Sequence, residues 1–297
     1  MKKKEGKMIL SKGEVAFLIL TKILMLIFAV MCLYPFLYVL AVSLSSPGPV
    51  MRGEVYLIPK GFSLEVYRKI FSEGTLVSAT IRSIIITIVY VIMAMTMTIL
   101  CAYPLSVPEL KGKKILNRVI IFTMYFSGGT IPSYLVVRSL GLIDNYLALV
   151  LPCCLSVYNM IVLRSFFTSI PVSLREAAII DGAGDGTILM KVVLPMSKPA
   201  IATVSLYYCV SRWNAFMDSL LYFNDPTKAV LQLRLKQLVM NADSINSMME
   251  GATAGNTMIA QTVRSGALMF SMVPIMLVYP FLQKYFVKGT MIGSVKG

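Results

Sequence analysis

The sequence predicts an all-α, polytopic membrane protein with six transmembrane helices. Apolar residues make up 57% of the 297 positions, and the mean hydropathy is +0.76, which exceeds what one soluble core would need. The apolar residues form six stretches of about the length that crosses a bilayer, roughly 20 residues. These stretches are continuous rather than alternating, which favours helices over a membrane barrel.

The six predicted spans cover residues 16–42, 83–106, 119–137, 146–163, 200–223 and 265–283. Four of them contain no charged residue, whereas the first contains Lys22 and the fifth contains Arg212 and Asp218. The first span is too long for a signal peptide and lacks a small-residue cleavage site, so we expect it to be retained.

The net charge of +14 is explained by topology and not by nucleic-acid binding. Six spans put both termini on one side, and most of the basic residues fall in the segments on that side. The positive-inside rule therefore places both termini in the cytoplasm. We expect residues 1–15 to form a basic tail near anionic lipid and residues 287–297 to form a second cytoplasmic tail.

Several kinds of chemistry are not expected of this chain. It has no histidine, and its five cysteines fall inside predicted spans, so we expect neither a metal site nor a disulfide framework. Gly112 and Lys113 are followed by Lys114 without the upstream glycine of a P-loop, so we expect no ATP site. Nothing pairs a nucleophile with a base, so the chain is not predicted to be an enzyme or to bind a cofactor.

The third predicted span contains "FSGGTIPSYL", in which Gly128, Gly129 and Pro132 lie close together. This combination predicts a kink or a break in the helix. The break either serves packing or lines a translocation path, because irregular backbone at membrane depth is tolerated only inside protein or beside water.

Residues 173–199, here called the coupling loop, read "SLREAAIIDGAGDGTILMKVVLPMSKP" and carry unusual polarity for this chain. Ser173 and Glu176 have the S-x-x-E spacing of a capping box, which predicts the start of a helix. That helix is expected to stop at Gly182 or Gly184.

A second short helix is predicted after the glycine bend. Asp185 can cap it and Pro195 should end it. Ala177 and Ala178 keep the first helix slim, and residues near Leu189 give the second an apolar face. Such a pair suits insertion into a groove on another protein.

These residues resemble the EAA motif of ABC importer permeases, the cytoplasmic loop that docks into the ATPase subunit. The matching residues are Glu176, Ala177, Ala178, Asp181, Gly182, Ala183, Leu194, Pro195 and Pro199. The flanking "SFFTSIPVSLREAA", "RWNAFMDSL" and "QKYFVKGTMIGSVKG", and residues 52–57, are similar to carbohydrate-uptake permeases. The likeness is greatest to the smaller permease of maltose-type systems and to oligosaccharide permeases of Gram-positive bacteria. One departure is "GDGTILM", where the family more often has an aromatic residue near Leu189 or Met190.

The resemblance implies an ABC type I importer permease fold over residues 16–286, in the cell membrane of a Gram-positive bacterium. It implies a second homologous permease, an ABC ATPase dimer that holds ATP and Mg²⁺, and an extracellular solute-binding protein that delivers a sugar or oligosaccharide. The implied mechanism is alternating access, in which the coupling loop moves with the ATPase dimer as ATP closes it.

Within the coupling loop, the resemblance assigns ATPase contact to the EAA segment and to Leu189 and Pro195. Glu176 is interpreted either as a helix cap or as a carboxylate that pairs with a basic residue of the ATPase, and both roles can coexist. Asp181 and Gly182 are interpreted as architectural, since glycine supplies a backbone conformation that other residues resist.

The fifth span holds the candidate substrate path, made of Tyr208, Arg212, Trp213 and Asn214. Aromatic faces and amide groups suit sugar binding, although an interfacial or packing role is equally open. Arg212 could bind an acidic sugar, pair with a carboxylate or contact a carbonyl group. On one continuous helix it would not share a face with Asp218. The partner permease could also hold the sugar alone.

Three other functions are considered. An ABC permease for amino acids or peptides is disfavoured by the flanking motifs. An ion-coupled secondary transporter should place carboxylates in mid-span, and only Asp218 lies near such a position. A membrane scaffold without transport is the third.

Overall fold

The computed structural model describes residues 11–248 and 261–278, and within these ranges the chain is mostly helical and has no β-strand. The first eight helices are α1 (Lys12–Ser43), α2 (Pro47–Met51), α3 (Glu65–Glu73), α4 (Thr75–Ser106), α5 (Lys113–Tyr125), α6 (Thr130–Ser139), α7 (Val157–Thr168) and α8 (Val172–Ile180). The later ones are α9 (Asp185–Ile188), α10 (Leu194–Met196), α11 (Lys198–Asn214), α12 (Met217–Tyr222), α13 (Leu231–Met248) and α14 (Gln261–Val278). A π-helical turn, Leu189–Val193, joins α9 to α10, and short 3₁₀ turns cover Tyr146–Leu149 and Pro226–Lys228.

The chain divides into two compact units. One comprises Met1–Lys69 and Asn241–Phe270, and the other comprises Ile70–Met240 and Ser271–Gly297. In the first unit, α1 begins with a capping box in which Ser11 and Glu14 bond each other's backbone N–H groups. Most of the apolar side chains of α1 are exposed, which suits a helix whose surroundings are lipid.

Three helices are individually long and apolar enough to cross a membrane, namely α1, α4 and α14. Three bent pairs also meet that criterion when each pair is taken together: α5 with α6, α7 with α8, and Asp185–Met196 with α11. The described residues thus contain three candidate spans, or up to six if each bent pair counts as one. Residues 1–10, 249–260 and 279–297 lie outside the described residues, so the predicted C-terminal tail and the end of the sixth span are not described. Of the predicted N-terminal tail, residues 11–15 are described, and they cap and begin α1.

The break predicted in "FSGGTIPSYL" is confirmed. α5 ends at Tyr125, α6 begins at Thr130, and the two helices are bent by 110°. Gly129 has a φ of +87°, a backbone conformation that glycine adopts without a steric penalty. The four-residue break therefore redirects the chain.

The prediction of continuous helices in the fourth and fifth spans is wrong. The fourth begins as the 3₁₀ turn at Tyr146–Leu149, and its α-helix starts only at Val157, where the Ser156 side chain caps the first turn. The fifth stops at Asn214 and resumes at Met217 as a separate short helix. Hydropathy records composition, and it cannot detect a break in a helix whose freed polar groups are satisfied by distant residues.

The core of the second unit lies where α4, α7 and α11 pack together. Small buried residues on these helices, such as Ala94, Ala102 and Val204, allow close approach of the backbones. Tyr208 is buried among them, with its ring edge against Tyr90. This packing holds both the coupling loop and the fifth span in place.

Candidate coupling loop and membrane polar cluster

The first half of the coupling loop is α8, which begins after Pro171 without any side-chain cap. The predicted capping box of Ser173 and Glu176 is therefore wrong. The first turn of α8 is exposed, so water can satisfy its free N–H groups and no cap is required. In the described part of the chain Glu176 makes no hydrogen bond or ion pair, which leaves its carboxylate open to a partner.

The bend predicted at Gly182 is confirmed, and its geometry is that of a Schellman motif. α8 ends at Ile180, the Gly182 N–H donates to the Ile179 carbonyl at 2.9 Å, and the Ala183 N–H donates to the Ala178 carbonyl at 2.9 Å. Gly182 has a φ of +79°. These bonds satisfy two carbonyls at the helix end, and the positive φ explains the glycine.

The second half of the coupling loop differs from its prediction at both ends. Gly184, not Asp185, is the N-cap of α9, and the Asp185 side chain makes no cap. Pro195 does not end the second helix, which continues to Met196. Pro195 follows the π-helical turn and lies in the first turn of α10, where its missing N–H donor is not needed.

The residues that the resemblance assigns to ATPase contact divide into an exposed set and a supporting set. Glu176, Ala177, Asp181, Gly182 and Pro195 are exposed, whereas Ala178, Ala183 and Leu189 are half-buried against the core of the second unit. Ile180 follows Glu176 by one helical turn and is 85% exposed. The loop thus presents a carboxylate beside apolar surface, and Ile188, which is buried, anchors it.

A network that sequence analysis missed holds the coupling loop to α4. The Arg175 guanidinium donates to Glu109 Oε2 at 2.6 Å and to Asp185 Oδ1 at 3.5 Å. The Tyr103 hydroxyl, on α4, lies 3.2 Å from the Asp185 carbonyl and 3.3 Å from its Oδ1. These four residues are called the Arg175 network. No local signal identifies it, because its members come from three segments that only the tertiary structure brings together.

Glu109 in this network is held ionised. Its own backbone N–H and then the Arg175 guanidinium bond the carboxylate and keep the pKa of Glu109 below its ordinary value. A carboxylate that accepts such bonds favours its charged form. Glu109 therefore stays available as an anionic partner of Arg175 at neutral pH.

In the fifth span, Arg212 and Asp218 form a buried ion pair. Both terminal nitrogens of Arg212 bond the Asp218 carboxylate, and one also donates to the Leu149 carbonyl at 2.8 Å. The Tyr90 ring lies 6.0 Å from the Arg212 guanidinium carbon. Two residues on one continuous helix at this separation would not share a face, but the helix breaks after Asn214 and the two side chains meet. Of the three roles considered for Arg212, the structure therefore shows two, namely the pair with a carboxylate and the contact with a carbonyl group.

Tyr208 is not placed at an accessible surface. It is 1% exposed, its hydroxyl is 2.7 Å from that of Thr98, and it accepts the Ser156 N–H at 3.0 Å. The expectation that Tyr208 faces a sugar is therefore not met in this conformation. Its buried polar group needs these partners and stabilises the packing of α4 against α11.

Trp213 and Asn214 differ sharply although they are neighbours. Trp213 is 6% exposed and lines an apolar cavity of about 430 Å³ together with residues of α4, α11 and α14. Its indole nitrogen has no hydrogen-bond partner among the described residues. Asn214 is exposed, and its side-chain N–H donates to the Val210 carbonyl at 3.0 Å. Of the four predicted path residues, Asn214 alone presents an exposed side chain in this structure.

Comparison with known proteins identifies the family of this chain. Residues 94–292 match the family model for the binding-protein-dependent transport system inner membrane component. A polygalacturonan/rhamnogalacturonan transport system permease protein of Bacillus subtilis is 42% identical over 273 residues, which cover 92% of this chain and 96% of that one. A trehalose/maltose transport system permease protein of Thermococcus litoralis is 28% identical, with 94% and 98% covered. A crystal structure of a bacterial ABC transporter involved in the import of the acidic polysaccharide alginate contains a chain with a TM-score of 0.84 and 32% identity, with 93% of this chain and 99% of that chain covered.

Proposed function

Because this chain belongs to the family of binding-protein-dependent transport system inner membrane components, we propose that it is the permease subunit of an ABC importer for a sugar or oligosaccharide. Its partners are a second homologous permease, an ATPase dimer that carries ATP and Mg²⁺, and an extracellular solute-binding protein. It lies in the cell membrane of a Gram-positive bacterium, with both termini in the cytoplasm.

The observation that carries this proposal is the coupling loop. Its spacing matches the EAA motif, the Schellman bend at Gly182 sets the angle between its two halves, and Glu176 stands exposed beside the apolar Ile180. A carboxylate next to an apolar ridge suits a groove that supplies one basic residue and an apolar floor. Glu176 then pairs with the ATPase, while Ala177 allows close approach and Leu189 supports the loop from within.

The substrate class that we propose is an oligosaccharide derived from an acidic polysaccharide. The Bacillus subtilis polygalacturonan/rhamnogalacturonan relative and the alginate importer share 42% and 32% identity with this chain, whereas the trehalose/maltose relative shares 28%. Arg212 does not supply the cation for such a substrate, because its side chain is 4% exposed and is already bonded to Asp218 and the Leu149 carbonyl. We place carboxylate recognition on other residues or on the partner subunits.

The same ion pair argues against ion-coupled transport by this chain. A proton-coupled carrier needs a mid-span carboxylate that can exchange its proton. Asp218 bonds the Arg212 guanidinium and the Ser219 N–H, so its carboxylate is already committed to a structural contact. The energy for transport is therefore assigned to the partner ATPase.

The test is a charge reversal at the exposed carboxylate. Glu176→Lys should abolish sugar uptake and reduce recovery of the ATPase subunit in a pull-down from solubilised membranes, while the amount of permease in the membrane stays normal. Glu176→Gln is the matched control, since it keeps the size of the side chain and should give a smaller loss. Equal ATPase recovery and normal uptake in Glu176→Lys would contradict the docking role.

A further inference from the structure

We infer that Arg175 is a positioning residue that links movement of the coupling loop to α4, and that α4 carries this movement to the segment that precedes α13. The inference rests on the proposed function, because it describes how a loop that docks to an ATPase acts on the rest of the permease. It concerns the Arg175 network and not the exposed surface that contacts the ATPase.

The first step is the connection between the coupling loop and α4. Arg175 comes from α8, Asp185 is the first residue of α9, and one guanidinium bonds both Asp185 and Glu109. Tyr103 on α4 contacts Asp185 through its hydroxyl. The two halves of the coupling loop are thereby tied to each other, to the end of α4 and to the connection that follows α4.

The second step is the far end of α4. The Ser83 hydroxyl accepts the Leu231 N–H at 2.8 Å, and the Arg82 guanidinium donates to the Ala229 carbonyl at 3.3 Å. Ser83 and Tyr103 are separated by about 30 Å along a helix that rises about 1.5 Å per residue. One helix therefore joins the coupling loop to the start of α13 across a distance close to the thickness of a bilayer.

The third step concerns how a movement passes along α4 from one end to the other. Between its two ends α4 is packed against α7 and α11, and the Thr98 and Tyr208 hydroxyls lie 2.7 Å apart. A packed helix moves as a rigid element, so a displacement at Tyr103 is transmitted to Ser83. Tyr103 contacts Asp185 on the α9 side of the glycine bend, and Arg175 joins the α8 side to Asp185 and to Glu109, so α8 follows α4 through Arg175.

The experiment follows movement without requiring a sugar. The complex of both permeases and the ATPase dimer is prepared with the five native cysteines of this chain replaced by alanine and with Thr227→Cys as an exposed reporter near the start of α13. The rate of maleimide labelling at this cysteine is compared between the nucleotide-free complex and the complex trapped with ATP and vanadate. Recovery of the ATPase subunit is measured in the same preparations.

We expect trapping to change the labelling rate in the parent complex. Arg175→Met should reduce that change by about 5-fold or more, with full recovery of the ATPase subunit. Arg175→Lys should restore part of it, since lysine keeps the charge but cannot form the forked contact. Glu109→Gln, at an exposed site where folding is not at risk, should also reduce it. Lys111→Met removes a nearby exposed cation outside the network and should have no effect.

Three outcomes would overturn the inference. Arg175→Met could leave the full labelling change intact, it could lose ATPase recovery and labelling change in equal proportion, or Lys111→Met could act as strongly as Arg175→Met. The proposed function fails in a different way, because a parent complex without bound ATPase, or without any nucleotide-dependent change, would contradict the importer assignment itself.

Discussion

The Arg175 network and the Arg212–Asp218 pair both join an arginine to a carboxylate, but the carboxylates of the network are exposed and that of the pair is not. In the Arg175 network the carboxylate side chains of Glu109 and Asp185 are 67% and 72% exposed and that of Arg175 is 19% exposed, whereas in the buried pair the side chains of Arg212 and Asp218 are 4% and 19% exposed. Exposed ion pairs contribute about 0–1 kcal/mol, so they can break and form again during a transport cycle. Removal of one partner of a buried pair costs far more, because a desolvated charge is left behind.

The difference in exposure indicates that the contacts of the Arg175 network can change during transport, whereas the Arg212–Asp218 pair stays fixed. The exposed network ties together segments that we propose move with an ATPase partner, and each of its contacts can adjust at low cost. The buried pair closes the break between α11 and α12, and the Leu149 carbonyl adds a third bond. We therefore expect the coupling loop to be sensitive in transport and tolerant in stability, and the buried pair to show the reverse.

The largest expected effect is on the buried pair. Asp218→Ala should lower the stability of the assembled complex by about 3–5 kcal/mol, because Arg212 would remain buried without its carboxylate. Thermal unfolding of the complex in detergent measures this. The double replacement of Arg212 and Asp218 by leucine should cost less than Asp218→Ala alone. If Asp218→Ala left the unfolding temperature unchanged, the pair would belong with the exposed network.

The second effect concerns the exposed amide beside the buried pair. If Asn214 contacts the sugar, Asn214→Leu should raise the substrate concentration for half-maximal uptake, or slow uptake, by about 5- to 150-fold, which corresponds to about 1–3 kcal/mol for an unpaired hydroxyl. Trp213→Ala is the matched variant. It should reduce thermal stability more than substrate affinity, since Trp213 is buried. Unchanged uptake kinetics in Asn214→Leu would indicate that the partner permease holds the sugar alone.

The smallest effect is at the glycine bend of the coupling loop. Gly182→Ala should cost about 1 kcal/mol because φ is +79°. It should weaken the response of ATP hydrolysis to the binding protein more than it weakens folding. An added Cβ at Gly182 meets no atom within 4 Å, so backbone strain and not crowding is tested. Gly186→Ala is the control, with open space around its Cβ and no positive φ. Equal ATPase responses in the two variants would show that the bend is not part of coupling.

Much of the coupling loop could be predicted from sequence, and the two capping predictions about it that are wrong have a physical reason. The bend at Gly182 and the presence of two short helices depend on residues within a turn of each other, and both are correct. The caps assigned to Ser173 and Asp185 are wrong. A serine or aspartate at a suitable spacing can cap a helix, but exposed N–H groups can use water instead, and Asp185 contacts Arg175 and Tyr103.

The polar residues of the fifth span are predicted less well from sequence, because their side chains are arranged by residues far away in the chain. These residues are Tyr208, Arg212, Trp213, Asn214 and Asp218. Hydropathy identified an apolar stretch at 200–223 but did not detect the break after Asn214. On one continuous helix Arg212 and Asp218 would lie on different faces, so the sequence did not identify them as partners. Tyr208 and Trp213 suggested sugar contact by residue type alone, whereas their burial depends on packing against α4, α7 and α14.

The sequence by itself determined that this chain is helical, that it is apolar enough for a membrane and that it carries an EAA-type coupling loop with a glycine bend. These features depend on composition and on spacings of a few residues, which act through local backbone preference and hydrophobic burial. Only the tertiary structure decided which arginine pairs with which carboxylate, which aromatic residues are buried and how α4 connects the coupling loop to α13. Those contacts join residues far apart in the chain, and their energies depend on burial, which local patterns do not determine.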